Sequence, residues 1–501
     1  MTQLSDLELL KLNKLQRLGY KFKKFFCAIP GFFKNLGIKI WGLIKKLGLT
    51  IFFFFRDLVM TFVEGDWKTK LSYLVMGFGS IARGQVLRGI LFLIMEIVFI
   101  WFMIATGGYY VGKLNTLGTV QPKTLEDGTI IYGDNSFKIL LYGVLTIFFI
   151  IAFIYTWYLN IKQNRINEQI LKDEKKIKST GDDLRALVDQ NFHKTLLSLP
   201  TLGIIVFTVL PIFFMILVAF TNYDANHNGV SNALFGWQGF DNFGKLFTWN
   251  SGGANFGATF GEILLWTLIW AFFATFTNYF LGMMVAMLIN KKGIKLKKVW
   301  RTILVLSIAI PQFISLLYVS KMFAFPDGII NSLFFKNNPI HFLDEQASPM
   351  TARITVILIN IWIGIPYLML VTTGILMNIP ADLYESANID GASAWQQYSK
   401  ITLPYMLFVT GPYLLTSFTG NMNNFNVIYL LTGGGPKDIN MASSANGSTD
   451  LLITWLFNLA VSSSDYKLAA VIGIMVFIVV AVLSLIVYNL IPSTRNEEEF
   501  Q

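Results

Sequence analysis

The chain has 501 residues, of which 54% are apolar and 14% are charged. A chain this apolar cannot be a soluble protein of several domains, because too few polar residues remain to cover the surface. The net charge is +10, but the basic residues flank long apolar stretches, which indicates orientation in a membrane rather than binding to nucleic acid. One cysteine excludes an internal disulfide, and three scattered histidines predict no metal site.

Residues 1–88 form a basic, aromatic-rich region before the first apolar span, with 15 Lys and Arg. No short apolar core with a small-residue cleavage site follows a brief basic start, so we do not expect a cleavable signal peptide. The stretch 47–63 is apolar but is interrupted by Arg56 and Asp57. We predict an amphipathic helix here that lies on the cytoplasmic membrane surface, in contact with lipid.

Apolar stretches of about 20 residues recur after residue 88, each long enough to cross a bilayer about 30 Å thick as a helix. They predict an all-α polytopic membrane protein with about eight spans. The expected spans are 89–106, 139–159, 200–221, 260–290, 302–324, 353–377, 405–431 and 466–490. We divide the chain into the N-terminal region, two spans with their loop (89–199), a core (200–491) and a tail (492–501).

The basic residues between the spans predict the orientation. The loops 160–199 and 291–301 hold eight and six Lys and Arg, whereas the loops that alternate with them hold three or fewer each. Because positive charge accumulates on the cytoplasmic side, both termini are expected in the cytoplasm. The loop 380–404 is then cytoplasmic as well.

This loop has a regular polar pattern of its own. Pro380 is typical of a helix start, and Asp390-Gly391 is typical of a stop, because glycine enters the left-handed conformation cheaply. Ser393 can cap a second short helix, which we expect to end at Pro404. The pattern predicts a helix, a tight turn and a second helix.

The spacing in this loop carries a family resemblance. Glu385-Ser386-Ala387, three residues, Gly391, nine residues and Ile-x-Leu-Pro resembles the loop by which permease subunits of binding-protein-dependent ABC importers dock onto their ATPases. Ser386 stands where that family usually has alanine. The resemblance implies docking through five residues: Glu385, Ser386, Ala387, Asp390 and Gly391. The alternative is an ordinary amphipathic loop helix.

No stretch matches the phosphate-binding pattern Gly-x-x-x-x-Gly-Lys-Ser/Thr, and no Ser/His/Asp set or carboxylate pair stands out. We therefore expect a transport subunit and not an enzyme, with no catalytic residue, metal or cofactor in this chain. The resemblance implies that ATP and Mg²⁺ are bound by partner ATPase subunits.

Polar and aromatic residues cluster in the sixth and seventh spans. Asn360, Gly364 and Tyr367 recur at i, i+4 and i+7 on one helix face. Three asparagines within 421–424 are costly at membrane depth unless they face a water-filled cavity or bond across helices. Carboxamides can bond sugar hydroxyls and aromatic rings can stack on sugar faces, so a sugar site is one interpretation. Contacts that hold helices together are the other.

Asn-Ile-Trp-Ile-Gly-Ile-Pro-Tyr at 360–367 and Asn-Met-Asn-Asn-Phe at 421–425 resemble two spans of the larger permease subunit of maltose/maltodextrin importers. The likeness extends over about 200–490 and implies the type I ABC importer permease fold. Five positions match those that line the sugar site in that family: Asn360, Gly364, Tyr367, Asn421 and Asn424. Ile308 and Gln312 stand where the family has tyrosine and serine, and Gln312 can still bind a hydroxyl.

The resemblance implies a permease subunit that carries maltodextrin across the bacterial cytoplasmic membrane. Its implied partners are a second, related permease subunit, an ATPase dimer and an extracytoplasmic sugar-binding protein, which we expect to dock near residues 236–247 because the outer loop is short. A permease for another oligosaccharide or a glycoside stays open. An ion-coupled secondary transporter would need membrane carboxylates near broken helices, and a membrane enzyme would need a catalytic set.

Overall fold

A computed structural model describes residues 37–38, 41–43, 45–124, 130–177, 179–230, 232–247, 256–291, 293–437 and 446–490. Residues 1–36, which belong to the predicted interfacial region, and the predicted cytoplasmic tail 492–501 lie outside this set. The chain divides into two compact units, Met1–Phe214 and Met215–Gln501. The division into four regions predicted from the sequence stays a prediction.

In its described residues, the first unit consists of helices, their connecting loops and one short antiparallel pair, β1 (Lys123–Thr124) with β2 (Ile130–Ile131). A helix at 45–64 occupies the stretch in which an amphipathic helix is predicted, and we name it α1. The helices that follow are α2 (Trp67–Leu71), α3 (Phe78–Ile81), α4 (Val86–Lys113), α5 (Ser136–Lys172), α6 (Thr180–Val188) and α7 (Phe192–Val218), which ends in the second unit.

A buried hydrogen-bond network fastens the segment between α1 and α4 to α5. The side chain of Arg83 is fully buried, and its guanidinium donates to Asp66 Oδ1 at 2.6 Å and to Asn164 Oδ1 at 2.7 Å. Glu168 accepts from the backbone of Asp66 and from the hydroxyl of Thr69. A buried guanidinium is tolerated here because its two terminal nitrogens donate to a carboxylate and an amide oxygen.

The second unit contains the helices that matter for the site. They are α8 (Asp241–Phe247), α9 (Phe256–Asn290), α10 (Lys297–Ala309), α11 (Gln312–Met322), α12 (Ile329–Phe334), α13 (Pro349–Leu376), α14 (Ala381–Ile389), α15 (Ala394–Thr432), α16 (Leu452–Ser462) and α17 (Tyr466–Leu490). α9 contains a π-helical turn, Phe273–Thr277. α15 is interrupted at Asn423-Asn424.

Seven helices in the described part of the chain are long and apolar enough to span a membrane, or up to eight if α10 and α11 are one broken span. The predicted number is thus confirmed, but the prediction of a single fifth helix at 302–324 is wrong. α10 and α11 are bent by 92° at Ile310-Pro311. Pro311 lacks an N–H and disfavours the helical conformation of Ile310, whose backbone is extended (φ −82°, ψ 126°).

An apolar core holds α9, α11, α13 and α15 together. Trp266 and Trp270 of α9 are its largest side chains, and both are almost fully buried. They belong to one cluster with Leu316 of α11, Val356 of α13 and Val427 of α15. Burial of such side chains contributes roughly 1.5–3 kcal/mol each in water, and in a bilayer close packing takes over this role. The core therefore fixes the four helices around the cavity described next.

Candidate functional site

A cavity of about 380 Å³ lies among α9, α10, α11, α13 and α15 in the second unit. Its volume is within the range of small-ligand sites. All six residues predicted to bind substrate line it: Gln312, Asn360, Gly364, Tyr367, Asn421 and Asn424. The described residues that line it include no Asp, Glu, Lys, Arg or His, and their polar groups are amides and hydroxyls. The wall is chemically suited to a neutral polar ligand.

The bend at Ile310-Pro311 brings two helix ends to the cavity. Ile308 comes from the end of α10, and Gln312 stands at the start of α11. Pro311 also lines the cavity, so the break in the helix is part of its wall. Irregular backbone at membrane depth is tolerated where it is buried in protein or lines a cavity. The apolar Ile308 and the polar Gln312 are thus close to any occupant.

Two asparagines of α15 serve both as helix contacts and as cavity wall. Asn421 Nδ2 donates to Thr275 Oγ1 of α9 at 3.0 Å. Asn424 Nδ2 donates to Asn421 Oδ1 at 3.3 Å, and its own Oδ1 accepts from the Val427 N–H at 3.4 Å. The two interpretations from the sequence therefore do not exclude each other. Asn423, by contrast, is exposed and donates to the Thr419 carbonyl.

The predicted face of α13 points into the cavity. Asn360 is 6% exposed and Tyr367 is 50% exposed. Trp362, which is off this face, lines a different cavity with Ile303 and Pro366. Gly364 has no room for a side chain, because an added Cβ would collide with the carboxamide of Asn278.

Asn278 of α9 is one of the polar cavity residues that the sequence interpretation missed; the others are Ser307, Ser315, Tyr413 and Ser417. It is 5% exposed, lines the cavity and follows the π-helical turn directly. The signal was present in the sequence, since an asparagine inside a long apolar stretch is as costly as those in the seventh span. Nothing in the local pattern connects Asn278 to α13, and we therefore did not predict it.

The loop 380–404 forms the expected helix, turn and helix, which we call the knob. α14 ends before Gly391, whose φ of +73° is the left-handed conformation that the turn requires. Ser393 caps the next helix by accepting from the Gln396 N–H at 3.3 Å. The prediction that Pro404 ends this helix is wrong. This second helix is the start of α15, which continues past Pro404 through a π-helical turn, because proline fits the first turn that follows such a bulge.

Side-chain hydrogen bonds join the two halves of the knob. Gln397 Nε2 donates to Asn388 Oδ1 at 2.6 Å and to the Ala392 carbonyl at 3.1 Å. Tyr384 and Thr402 share a hydroxyl–hydroxyl bond of 2.8 Å. These bonds tie α14 to the start of α15, so the knob is a connected element.

Four of the five predicted docking residues are exposed on the knob, namely Glu385, Ser386, Asp390 and Gly391, and Ala387 is half-buried. Ile389 and Trp395 beside them are 87% and 72% exposed.

Asp224 anchors the loop that follows α7 through its side-chain contacts with Lys467 and His227. The binding-protein contact is predicted in this loop. Lys467 donates to Asp224 Oδ2, and His227 Nδ1 lies 2.9 Å from Asp224 Oδ1. Burial alone would raise the pKa of Asp224, but these hydrogen bonds hold it well below its usual range. Phe240 and Phe247, at the α8 end of this loop, are 74% and 68% exposed.

Comparison with known proteins identifies the family. Residues 278–496 match the family described as "Binding-protein-dependent transport system inner membrane component". The galactooligosaccharides transport system permease protein GanP of Bacillus subtilis (strain 168) is 32% identical over 436 residues, which cover 85% of this chain and 98% of the relative. The maltodextrin transport system permease protein MalC of Streptococcus pneumoniae (strain ATCC BAA-255 / R6) is 33% identical over 440 residues, which cover 86% and 97%.

A solved bacterial ABC transporter involved in the import of the acidic polysaccharide alginate aligns with 63% of this chain and 98% of its own, at 23% identity and a TM-score of 0.49. The relatives above match almost end to end, and they confirm the resemblance stated from the sequence. The predicted all-α, multi-pass permease is confirmed, as is its role as a transport subunit, and the type I fold stays a prediction. The chain belongs to the family of inner membrane components of binding-protein-dependent transport systems.

Proposed function

We propose that this chain is the permease subunit through which maltodextrin enters the cell across the bacterial cytoplasmic membrane. One observation carries the proposal: the six residues chosen from the sequence as a sugar site line a single uncharged cavity among the spans. The nearly full-length likeness to a maltodextrin permease supports the choice of substrate.

The cavity offers the two kinds of contact that sugars use. The carboxamides of Asn360 and Gln312 can each donate to and accept from hydroxyl groups. The half-exposed ring of Tyr367 provides a flat apolar face for the C–H side of a pyranose. A neutral wall favours a neutral sugar, since a charged solute would be left unpaired in a region of low dielectric constant.

In this proposal, the free energy for transport comes from ATP hydrolysis in partner subunits. Two ATPase subunits bind ATP and Mg²⁺, a second permease subunit completes the pathway, and an extracytoplasmic binding protein delivers the sugar. Glu385 of the knob pairs with a cationic side chain in a groove of one ATPase, a charge-assisted bond of the stronger kind. The small residues Ser386 and Ala387 keep that surface narrow enough to enter the groove, and Asp390-Gly391 forms the turn at its end.

The chain connects this knob directly to the cavity. α13, which carries Asn360 and Tyr367, leads into the knob, and α15 leads from the knob to Asn421. From Ala394 to Asn421, α15 is helical throughout and roughly 40 Å long at 1.5 Å per residue. Movement of the knob by the ATPases thus shifts both sugar-binding walls together, as a two-state change between outward- and inward-facing arrangements.

A galacto-oligosaccharide is the second candidate substrate. The relative that transports galactooligosaccharides is as similar to this chain as the maltodextrin permease is. Ile308 and Gln312, which stand where the maltose family has tyrosine and serine, both line the cavity, so the wall differs from that family where a sugar would contact it.

The proposal is tested with the complete transporter in proteoliposomes that contain ATP. We expect uptake of labelled maltodextrin that requires the binding protein and stops with vanadate or when the ATPase subunits are omitted. Galacto-oligosaccharide is offered in parallel, and a strong preference for it would replace the first substrate by the second. Vanadate-resistant uptake that collapses with the ion gradient would contradict the ABC mechanism.

A further inference from the structure

The side-chain oxygen of Asn278 accepts no hydrogen bond from the described part of the chain. Its Nδ2 donates to the Ala274 carbonyl at 2.8 Å and lies 3.5 Å from the Asn360 carbonyl oxygen. Its Oδ1 is buried and has no hydrogen-bond partner among the described residues. The side chain nevertheless stands in the wall of the cavity.

The orientation of this carboxamide follows from its neighbours. Carbonyl oxygens only accept hydrogen bonds, so the amide atom that faces Ala274 and Asn360 must be the nitrogen. The oxygen is then the unpaired atom. A buried acceptor without a donor is unfavourable, and a donor supplied by a ligand in the cavity would remove this cost. Hydroxyl groups are such donors.

Gly364 explains how Asn278 reaches this position. A Cβ built on Gly364 would lie 2.7 Å from Cγ of Asn278 and closer still to its Nδ2. No real Cβ tolerates such distances, so any side chain at 364 would displace the amide. The absence of a side chain at this position of α13 therefore makes room for a polar group from α9.

We propose that Asn278 is a sugar-recognition residue, whose Oδ1 accepts a hydrogen bond from a hydroxyl group of the transported sugar. Gly364 is a positioning residue that leaves the space for Asn278. This inference rests on the proposed function and deepens it, since it adds α9 as a further recognition wall to those of α11, α13 and α15.

The test measures maltodextrin binding to the purified, fully assembled transporter by calorimetry, without the binding protein. Asn278→Ala removes one hydrogen bond to the sugar, so we expect an affinity roughly three- to tenfold weaker. The apparent Tm without sugar should stay the same or rise, because the unpaired acceptor is gone. Unchanged affinity would overturn the inference.

Asn290→Ala is the matched control. Asn290 lies on the same helix and donates to the Ala286 carbonyl in the same way, at 2.8 Å, but its oxygen accepts from Arg301 at 2.9 Å. This variant should lose thermal stability and keep its affinity for sugar. If Asn278→Ala shows that same pattern, Asn278 has a structural role only, and the inference is wrong.

A double variant tests the role of Gly364. Gly364→Ala alone should weaken sugar binding. In a chain that already carries Asn278→Ala, it should cause no further loss of sugar affinity. Independent, additive losses would show that Gly364 acts without Asn278, against its role as a positioning residue. Binding of neither maltodextrin nor galacto-oligosaccharide by the unaltered complex would contradict the proposed function and this inference with it. Normal binding with an unaffected Asn278→Ala variant would contradict the inference alone.

Discussion

Asn424 both caps a helical segment and lines the cavity in which we propose that sugar binds. Its oxygen caps the helical segment Phe425–Thr432, and its nitrogen donates to Asn421 while the residue lines the cavity. A carboxamide has two N–H donors and two acceptor sites, so these bonds leave capacity for a ligand.

We predict that Asn424→Ala lowers the efficiency of maltodextrin uptake roughly three- to tenfold, because one hydrogen bond to the sugar is worth about 0.5–1.5 kcal/mol. Loss of the cap costs about a further 1 kcal/mol of stability, and the amount of assembled complex is therefore measured in parallel. Asn423→Ala, one residue away and outside the cavity, should transport normally. Equal uptake by both variants would remove Asn424 from the site.

Asp450 is a buried carboxyl outside the spans, close to Gly434. It accepts from the Gly447 N–H at 2.8 Å and lies 3.4 Å from Asn458 Nδ2. Burial outweighs these bonds and raises the pKa of Asp450 to about 6. The folded-state pKa is thus above the unfolded value of 3.8, so the stability that this carboxyl contributes is complete below pH 3.8 and is lost as the pH rises through 6.

We therefore expect Asp450→Asn to raise the apparent Tm of the assembled transporter, and to raise it more at pH 7.5 than at pH 5. At about 1.4 kcal/mol per pKa unit, the gain at pH 7.5 approaches roughly 3 kcal/mol. Thermal unfolding at the two pH values measures it. A gain that is the same at both values, or a loss at pH 7.5, would speak against the buried charge.

At the scale of elements, the knob is the part through which we propose that the ATPase subunits act on this chain. Hydrogen bonds from Gln397 and Tyr384 join its two helices, and its second helix is the first part of the long helix α15. The continuity was hidden in the sequence by Pro404. Proline normally ends a helix, but after the π-helical turn Tyr398–Thr402 the chain keeps its helical course.

We predict that Glu385→Lys and Gly391→Pro uncouple ATP hydrolysis from uptake. Glu385→Lys places like charge against the ATPase groove, and proline cannot adopt the φ of +73° at Gly391. The assembled complex should stay in the membrane, while sugar-loaded binding protein should no longer stimulate its ATPase. Asp189→Lys, the same charge reversal in the loop 160–199, serves as the control. Normal stimulation in both knob variants would refute the docking role.

At the scale of the whole molecule, orientation is the property that the basic loops predict. The chain has one cysteine, so Cys27→Ser provides a background without thiols. In that background, Ala225→Cys should react with a membrane-impermeant thiol reagent on intact cells, and Gln190→Cys should react only after lysis. Both positions are exposed in the structure. The reverse pattern of labelling would invert the predicted topology and remove the knob from the cytoplasm.

The sequence by itself determined the class of this protein. A bilayer demands about 20 apolar residues per span, a constraint that acts along the chain and needs no tertiary contact to be recognised. The helix, turn and helix of the knob could also be predicted from the sequence, because Gly391 ends one helix and Ser393 begins the next through their local conformation. The side of α13 that lines the cavity followed from helical periodicity.

Only the tertiary structure decided how these parts meet. Asn278 and Gly364 are 86 positions apart, and no local pattern states that one leaves room for the other. The bend of 92° at Ile310-Pro311 likewise depends on the packing of α11 against α15, since proline alone permits a kink without setting its angle. The composition of the cavity is a property of helix packing, which contacts between distant residues determine.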